Sequence, residues 1–249
     1  MAFPIHFSAN VKSIIRHNSN LSTFVLAPTG RFPKFKPGQF VHLTLEEYDP
    51  SSHWPESRAF SIASAPSNKQ EIRLTIGRQG QYTNRILNEV QEGQHLALKG
   101  PYGELVVTPQ HNSDEIILIA GGTGITPFCS YLEEAAIAPE KHQNPIHVFY
   151  AVRQPSAFIY RSLIEKCAQQ IKNLSTHFYS EETSVEPGIE QKDAIVGKLN
   201  LKDIMTRLPN PTMGQYYLSG PQAMIKTFSE ELVNTHGISA DRVHIDAWE

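Results

Sequence analysis

Along the first part of the chain, apolar and polar positions alternate in short runs, the period-two pattern of strands whose two faces meet different surroundings. The runs are Phe7–Arg16, Leu21–Ala27, Gln39–Leu45, Arg58–Ser64, Glu71–Ile76 and His95–Lys99. Turn-forming clusters separate them: Asn18-Ser19-Asn20, Pro28-Thr29-Gly30, Lys36-Pro37-Gly38 and Ala65-Pro66-Ser67-Asn68. Six short strands at this spacing predict a small antiparallel β-barrel. One helix interrupts it over Thr83–Gln91, with Ile86, Leu87 and Val90 on one side and Gly93 past its end.

Further on, the rhythm changes. Continuous apolar runs at Ile116–Ala120, Ile146–Ala151, Leu174–Tyr179, Gln215–Leu218 and Val243–Ile245 read as strands buried on both faces, and helical stretches lie between them. The clearest helix has Phe128, Tyr131, Leu132 and Ala135 at i, i+3, i+4 and i+7. Strands alternating with helices predict a doubly wound α/β domain with a parallel five-stranded sheet, whose ligand sits beyond the strand C-termini. The expected organisation is a β-barrel domain over 1–108 and an α/β domain over 114–249. The boundary falls in the polar, proline-containing stretch Thr108–Asp114.

Composition narrows the function classes. The 249 residues are 40% hydrophobic and 19% charged, which is globular rather than disordered. A net charge of −3 gives no reason to expect a nucleic-acid or membrane-surface partner. The apolar runs are too short to span a bilayer, and MAFPIHFSANVKSII has neither the basic start nor the apolar block of a signal peptide, so the expected location is cytoplasmic. Two cysteines, Cys129 and Cys167, are too few for an iron–sulfur cluster, which takes about four thiolates. The eleven histidines form no H-x-x-x-H arrangement, so no metal is expected.

The segment with the most specific chemistry is Gly121-Gly122-Thr123-Gly124-Ile125-Thr126-Pro127, which follows a buried strand and opens a helix. Free N–H groups and the helix dipole attract phosphate there, and glycines let a pyrophosphate approach the backbone. Thr126 is expected to cap the helix, with Pro127 at its first position. A second strand–turn–helix runs through Ser219-Gly220-Pro221-Gln222-Ala223-Met224; read alone, it is equally a plain helix start. In the barrel half, Arg58-Ala59-Phe60-Ser61 offers a forked cation, a ring for a flat cofactor two positions on, and a hydroxyl on the opposite face, although an ordinary strand with an exposed arginine has the same look. Gly80-Gln81-Tyr82-Thr83 places Thr83 as a helix N-cap, a second anion-accepting terminus, and Lys99-Gly100-Pro101-Tyr102-Gly103 supplies a rigid turn.

In this order the segments resemble the ferredoxin-NADP reductase family, whose pattern is R-x-[YF]-S, G-x-x-[ST], G-P-x-G, G-G-[TS]-G-x-[TA]-P and [CS]-G-P-x-x-[ML]; the resemblance runs from Phe7 to Trp248. It implies an FAD-dependent oxidoreductase in which hydride passes from nicotinamide C4 to flavin N5 and single electrons then go to an acceptor. Arg58 and Thr83 would hold the FAD pyrophosphate. Ala59, Gly80, Gln81 and Tyr82 would add backbone and stacking contacts. Phe60 would stack on the isoalloxazine, Ser61 would lie near N5, and the backbone of Leu74, Thr75 and Ile76 would line the flavin edge. Gly122, Thr123, Gly124 and Thr126 would take the nicotinamide dinucleotide pyrophosphate. Ser219, Gly220, Pro221 and Met224 would shape the nicotinamide pocket.

The chain departs from the family at four places. Phe60 replaces a tyrosine, and Ser219 replaces the frequent cysteine beside nicotinamide C4. Tyr179-Ser180-Glu181-Glu182 stands where NADPH-using relatives carry Ser-Arg; an acid at Glu181 disfavours a 2′-phosphate, so NADH is expected over NADPH, while Arg153 is placed to meet a phosphate or ribose. At the C-terminus, Trp248 is expected to cover the flavin and Asp246 to assist near N5. With no four-cysteine module in the chain, the expected acceptor is a separate molecule: ferredoxin, flavodoxin, or an oxygenase component, the last implying a role as the reductase component or a non-catalytic electron-transfer subunit of a multicomponent complex.

Overall fold

The computed structural model describes residues 3–30, 33–109, 111, 114–183 and 194–246. The chain divides into two compact units, and the helix that begins at Thr126 contributes its first residues, Thr126–Glu134, to the first of them.

The first unit is an antiparallel sheet of β1 (Ile5–Asn18), β2 (Leu21–Thr29), β3 (Phe40–Thr44), β4 (Arg58–Ser61), β5 (Ile72–Gly77) and β6 (His95–Tyr102) in the order β4-β3-β6-β1-β2-β5. Alternation does the work expected of it. Phe7, Ala9 and Val11 of β1, Phe24 and Leu26 of β2, Val41 and Leu43 of β3, Ile72, Leu74 and Ile76 of β5 and Leu96 and Leu98 of β6 all point into one core. Helix α1 (Gln81–Glu89) plugs it with Tyr82, Ile86 and Leu87, joined by Val90 just past its end. Between β4 and β5 the barrel is closed by the Ile62–Leu74 bridge and by bonds of Arg73 to Ala63 and Ser64, among them a 2.9 Å bond from the Ala63 N–H to the Arg73 carbonyl. Beyond that bridge the two strands separate, leaving a gap in the wall.

In the second unit, β7 (Glu115–Gly121), β8 (Ile146–Val152), β9 (Leu174–Ser180), β10 (Ala194–Val196), β11 (Gly214–Ser219) and β12 (Val243–Ile245) form one parallel sheet, ordered β10-β9-β8-β7-β11-β12. The connecting helices are α2 (Thr126–Ile137), α3 (Arg161–Gln170), α4 (Leu201–Arg207) and α5 (Gln222–Asn234). Every residue of β7 is buried, as a central parallel strand covered on both faces requires. The sheet has six strands among the described residues rather than the expected five. The addition, β10, is three residues long, half-exposed and on the sheet edge, too short to leave a periodic signal.

The chain runs outward from β7 in one direction through β8 and β9, then returns to place β11 on its other side. The crevice between the C-terminal ends of β7 and β11 is therefore the topological switch point, where open α/β sheets receive ligands. No helix among the described residues is long and apolar enough to cross a membrane.

Candidate cofactor sites

In the first unit, the residues expected at a flavin line the gap in the barrel. β4 carries Arg58 exposed and Ala59, Phe60 and Ser61 half-buried. Phe60 lies opposite Val41 in the ladder and packs on the barrel core, while Ala59 lies opposite His42 on the outer surface. Across the gap, the side chains of Leu74, Thr75 and Ile76 are buried and their backbones pair with β2, so only the far edge of the strand is offered to the gap. The Thr75 hydroxyl lies 2.8 Å from that of Thr23.

Below the gap stands the N-terminus of α1, and two expectations change there. The helix begins at Gln81, not Thr83, with extended Gly80 at the N-cap position (φ −176°). Thr83 sits one turn in, and its hydroxyl reaches back to accept the N–H of Gly80 at 3.1 Å and of Gln79 at 2.9 Å. A threonine at the third helical position satisfies the donors before the helix and leaves those of its first turn, on Gln81, Tyr82 and Thr83, facing outward. Gly80 has open space where a Cβ would be, so nothing of the protein blocks an approaching anion.

The second change concerns Tyr82. Its ring is buried at 4% exposure, too deep to stack on a ligand. Its hydroxyl donates to the Glu56 carbonyl at 2.8 Å and accepts the Leu45 N–H at 2.9 Å. The ring instead supports the Arg58 guanidinium, 4.7 Å from its centroid, with Arg85 at 5.7 Å. Arg58 also pairs with Glu56 at 2.8 Å on the surface. Arginine, helix terminus and bare glycine thus surround one spot.

In the second unit, β7 runs into a tight helical turn over Gly122–Ile125 that leads directly into α2. Thr126 is consequently already inside helical backbone and only 3% exposed, so it does not cap the helix as expected; the helical start is drawn back to Gly122. Thr123 is exposed and Gly122 half-exposed. Gly122 has φ +56°, a left-handed conformation, with nothing within 4 Å of its missing Cβ. Gly124 faces the opposite constraint, since a Cβ there would stand 2.3 Å from the Ser219 carbonyl oxygen and 2.5 Å from the Gly220 nitrogen. The turns after β7 and β11 are in backbone contact at the switch point.

Ser219 closes β11 almost fully buried, and Pro221 and Met224 follow at the start of α5. The Ser219 hydroxyl donates to the Asp246 carboxylate at 2.9 Å, and the Asp246 N–H donates to the Leu218 carbonyl at 2.9 Å. The pairing continues β12 by one residue and brings together two positions that the sequence offered only separately. Trp248 lies outside the described residues.

At the ends of β8 and β9, Arg153 and Glu181 are both exposed, while Ser180 is buried. The Ser180 hydroxyl donates to the Glu182 carbonyl at 2.7 Å, and the Glu181 N–H to the Val152 carbonyl at 3.1 Å. Arg153 and Glu181 are therefore neighbours at the strand ends, with opposite charges.

Residues 7–107 match the oxidoreductase FAD-binding domain and residues 118–230 the oxidoreductase NAD-binding domain. The glycine betaine monooxygenase reductase subunit of Pseudomonas aeruginosa is 30% identical over 217 residues, 86% of this chain and 56% of that protein. A flavohemoprotein of Chromobacterium violaceum is 25% identical over 243 residues, 93% of this chain and 57% of that one. The chain thus spans about half the length of these relatives. In fold it is similar to the FAD/NAD-binding domain of a nitric oxide dioxygenase from Vibrio cholerae O1 biovar El Tor, with TM-score 0.80 and 21% identity, covering 100% of this chain and 99% of that one.

Proposed function

The chain belongs to the ferredoxin reductase-like family of FAD- and NAD-binding oxidoreductases, and on that premise we propose that it takes hydride from NADH and passes electrons singly to a separate protein acceptor. The observation that carries this reading is the backbone contact of two glycine turns at the switch point, with Gly124 within 2.3 Å (as Cβ) of the Ser219 carbonyl and Gly122 open beside it. A phosphate-accepting turn needs bare backbone on its outer side and firm packing on its inner side, and these glycines supply one each.

The residues present fit both cofactors. FAD, when bound, supplies the hydride-accepting N5 and the conversion from two-electron to one-electron transfer. Arg58, supported by the Tyr82 ring, and the first-turn N–H groups of α1 hold its pyrophosphate. Thr83 orders that turn through Gly80. Phe60, half-buried against the barrel core, would offer the isoalloxazine only the exposed part of its ring, Ser61 would turn its hydroxyl towards N5, and the unpaired edge of Leu74–Ile76 would offer its backbone groups. Gly122, Thr123 and Gly124 receive the dinucleotide pyrophosphate through backbone N–H groups; buried Thr126 contributes only as part of the helix start.

Ser219, Gly220, Pro221 and Met224 wall the nicotinamide. Asp246 holds the Ser219 hydroxyl in one orientation by accepting its proton at 2.9 Å. The flavin part runs over 1–108 and the nicotinamide part over 114–249. Exposed Glu181 repels a 2′-phosphate, and Ser180, tied to Glu182, fixes the backbone that presents it; Arg153 meets the adenosine ribose or phosphates. NADH is therefore the reductant over NADPH.

The acceptor we favour is an oxygenase component, because a relative at 30% identity is a monooxygenase reductase subunit; ferredoxin and flavodoxin are the other acceptors of the same class. Two buried thiols, Cys129 and Cys167, suit the reducing cytoplasm. The test is anaerobic stopped-flow bleaching of the flavin absorbance by NADH and NADPH side by side. Fast bleaching by NADH and slow bleaching by NADPH is the expected result. No bleaching by either would overturn the reductase reading, and preference for NADPH would overturn the role given to Glu181.

A further inference from the structure

Helix α2 begins at the dinucleotide turn, yet its first residues belong to the first unit. What holds them there is a set of polar contacts to the segment that follows the flavin strand β4. The Ser130 hydroxyl donates to the Ser64 carbonyl at 2.8 Å, in a buried position. One turn on, the Glu133 carboxylate accepts the Ala65 N–H at 3.2 Å and forms an ion pair with the Arg73 guanidinium. Next to it, the Glu134 carboxylate accepts the Ser67 N–H at 2.9 Å. Arg73 comes from β5 and also donates to the Ala63 carbonyl at 3.3 Å, while its own N–H donates to the Ser64 hydroxyl at 3.2 Å.

Resting on the reductase reading, we propose that Glu133 is a positioning residue that keeps the helix start at Thr126 in register with the flavin-bearing residues Phe60 and Ser61. Two short, stiff paths meet at its carboxylate. From Ser61 to Ala65 is four residues along the chain, bent at Ser64 and pinned on the way to β5 by the Ala63–Arg73 and Arg73–Ser64 bonds. From Thr126 to Glu133 is two helical turns, a rigid rod of roughly 10 Å. The Arg73 and Glu133 side chains are only 15% and 24% exposed, so water screens the pair little and a broken pair leaves a poorly solvated charge. Such a joint transmits position. Neither Glu133 nor Arg73 is among the residues proposed to hold a cofactor, so losing the joint shifts the angle of the helix while leaving the binding groups themselves in place.

The experiment compares wild type with Glu133→Ala and Glu133→Gln in the FAD-loaded protein. Glu133→Ala is expected to keep its FAD content and its NADH dissociation constant within about twofold, measured well below a melting midpoint that the unpaired Arg73 charge lowers. Its limiting bleaching rate at saturating NADH should fall on the order of tenfold to a hundredfold, the loss expected when reacting atoms are misplaced by about 1 Å. The long-wavelength absorbance of nicotinamide stacked on flavin, titrated with NAD⁺ on the reduced protein, should weaken with it. Glu133→Gln, whose amide oxygen still accepts the Ala65 N–H, should recover part of both. An unchanged limiting rate and stacking band in Glu133→Ala would overturn the proposal while the wild type still bleaches. So would a loss that follows FAD content instead. A wild type that neither nucleotide bleaches would overturn the reductase reading and this one with it.

Discussion

The phosphate site proposed for the first unit combines a side-chain cation with a helix terminus, whereas the one proposed for the second is built from bare backbone. At β4 and α1 the cation is Arg58, its side chain 48% exposed and leaning on Tyr82, and the surrounding space is open: Gly80 has no neighbour within 4 Å of a Cβ. At β7 and β11 the glycine turns themselves carry no cation; Arg153 stands past the end of the neighbouring β8. Gly124 is wedged against the Ser219 carbonyl, and only Gly122 and Thr123 face outward. The difference follows from the sheets. An antiparallel barrel exposes one face of every strand, so a side chain on β4 can reach a ligand directly. A parallel sheet is covered on both faces and ends in turns, so its ligand meets main-chain N–H groups and a helix terminus. Changes in the first site should therefore act through binding chemistry, and changes in the second through packing.

The largest expected effect lies in the second site. Gly124→Ala puts a methyl group 2.3 Å from one backbone oxygen and 2.5 Å from a backbone nitrogen, neither of which can swing away. Overpacking of this kind should cost about 3 kcal/mol, read as a lowered denaturation midpoint of the cofactor-free protein. An unmoved midpoint would break the claim that packing governs this turn. Next comes Arg58→Ala, which should raise the FAD dissociation constant about tenfold to a hundredfold, the worth of a charge-assisted hydrogen bond of about 1.5–3 kcal/mol. The cofactor-free protein should melt unchanged, because an exposed pair such as Arg58–Glu56 contributes only about 0–1 kcal/mol. A lost midpoint with unchanged FAD affinity would reverse the comparison.

Smaller is the effect of Glu181→Gln. Removing an exposed charge beside the proposed 2′ position should shift the ratio of NADPH to NADH rates about fivefold towards NADPH, since surface charge pairs are worth about 1 kcal/mol. The shift should shrink in high salt.

The smallest concerns pH. His147, on β8 of the second unit, is held below the usual imidazole range by burial, which outweighs the nearby Glu115 carboxylate 3.2 Å away. The folded protein keeps it neutral while the unfolded chain protonates it. Its contribution is therefore complete above pH about 6.5 and is lost as pH falls below that towards the depressed folded value. His177 and His244, also lowered chiefly by burial, act in the same direction. Urea midpoints measured from pH 7.5 down to 5.5 should fall, and less steeply in His147→Gln. A midpoint rising on acidification would contradict the assignment.

What the amino-acid order alone determined is whatever depends on near neighbours. Alternation at Phe7, Ala9 and Val11, the unbroken apolar run Ile116–Ala120 and the glycine spacing at 121–124 each encode a local geometry, and from them the barrel, the parallel sheet and both turns are legible. The tertiary structure decided the rest. Whether Tyr82 offers its ring outward or buries it under Arg58 depends on Leu45 and Glu56, far away along the chain, closing over its hydroxyl. Thr126 reads as a cap until the preceding Gly122–Ile125 turn coils and swallows it. Short β10 exists because β9 offers it an edge. The pairs Ser219–Asp246 and Arg73–Glu133 join positions 27 and 60 residues apart, respectively. No periodicity links such positions, because a hydrogen bond between distant residues is set by where two elements pack and not by the spacing of either.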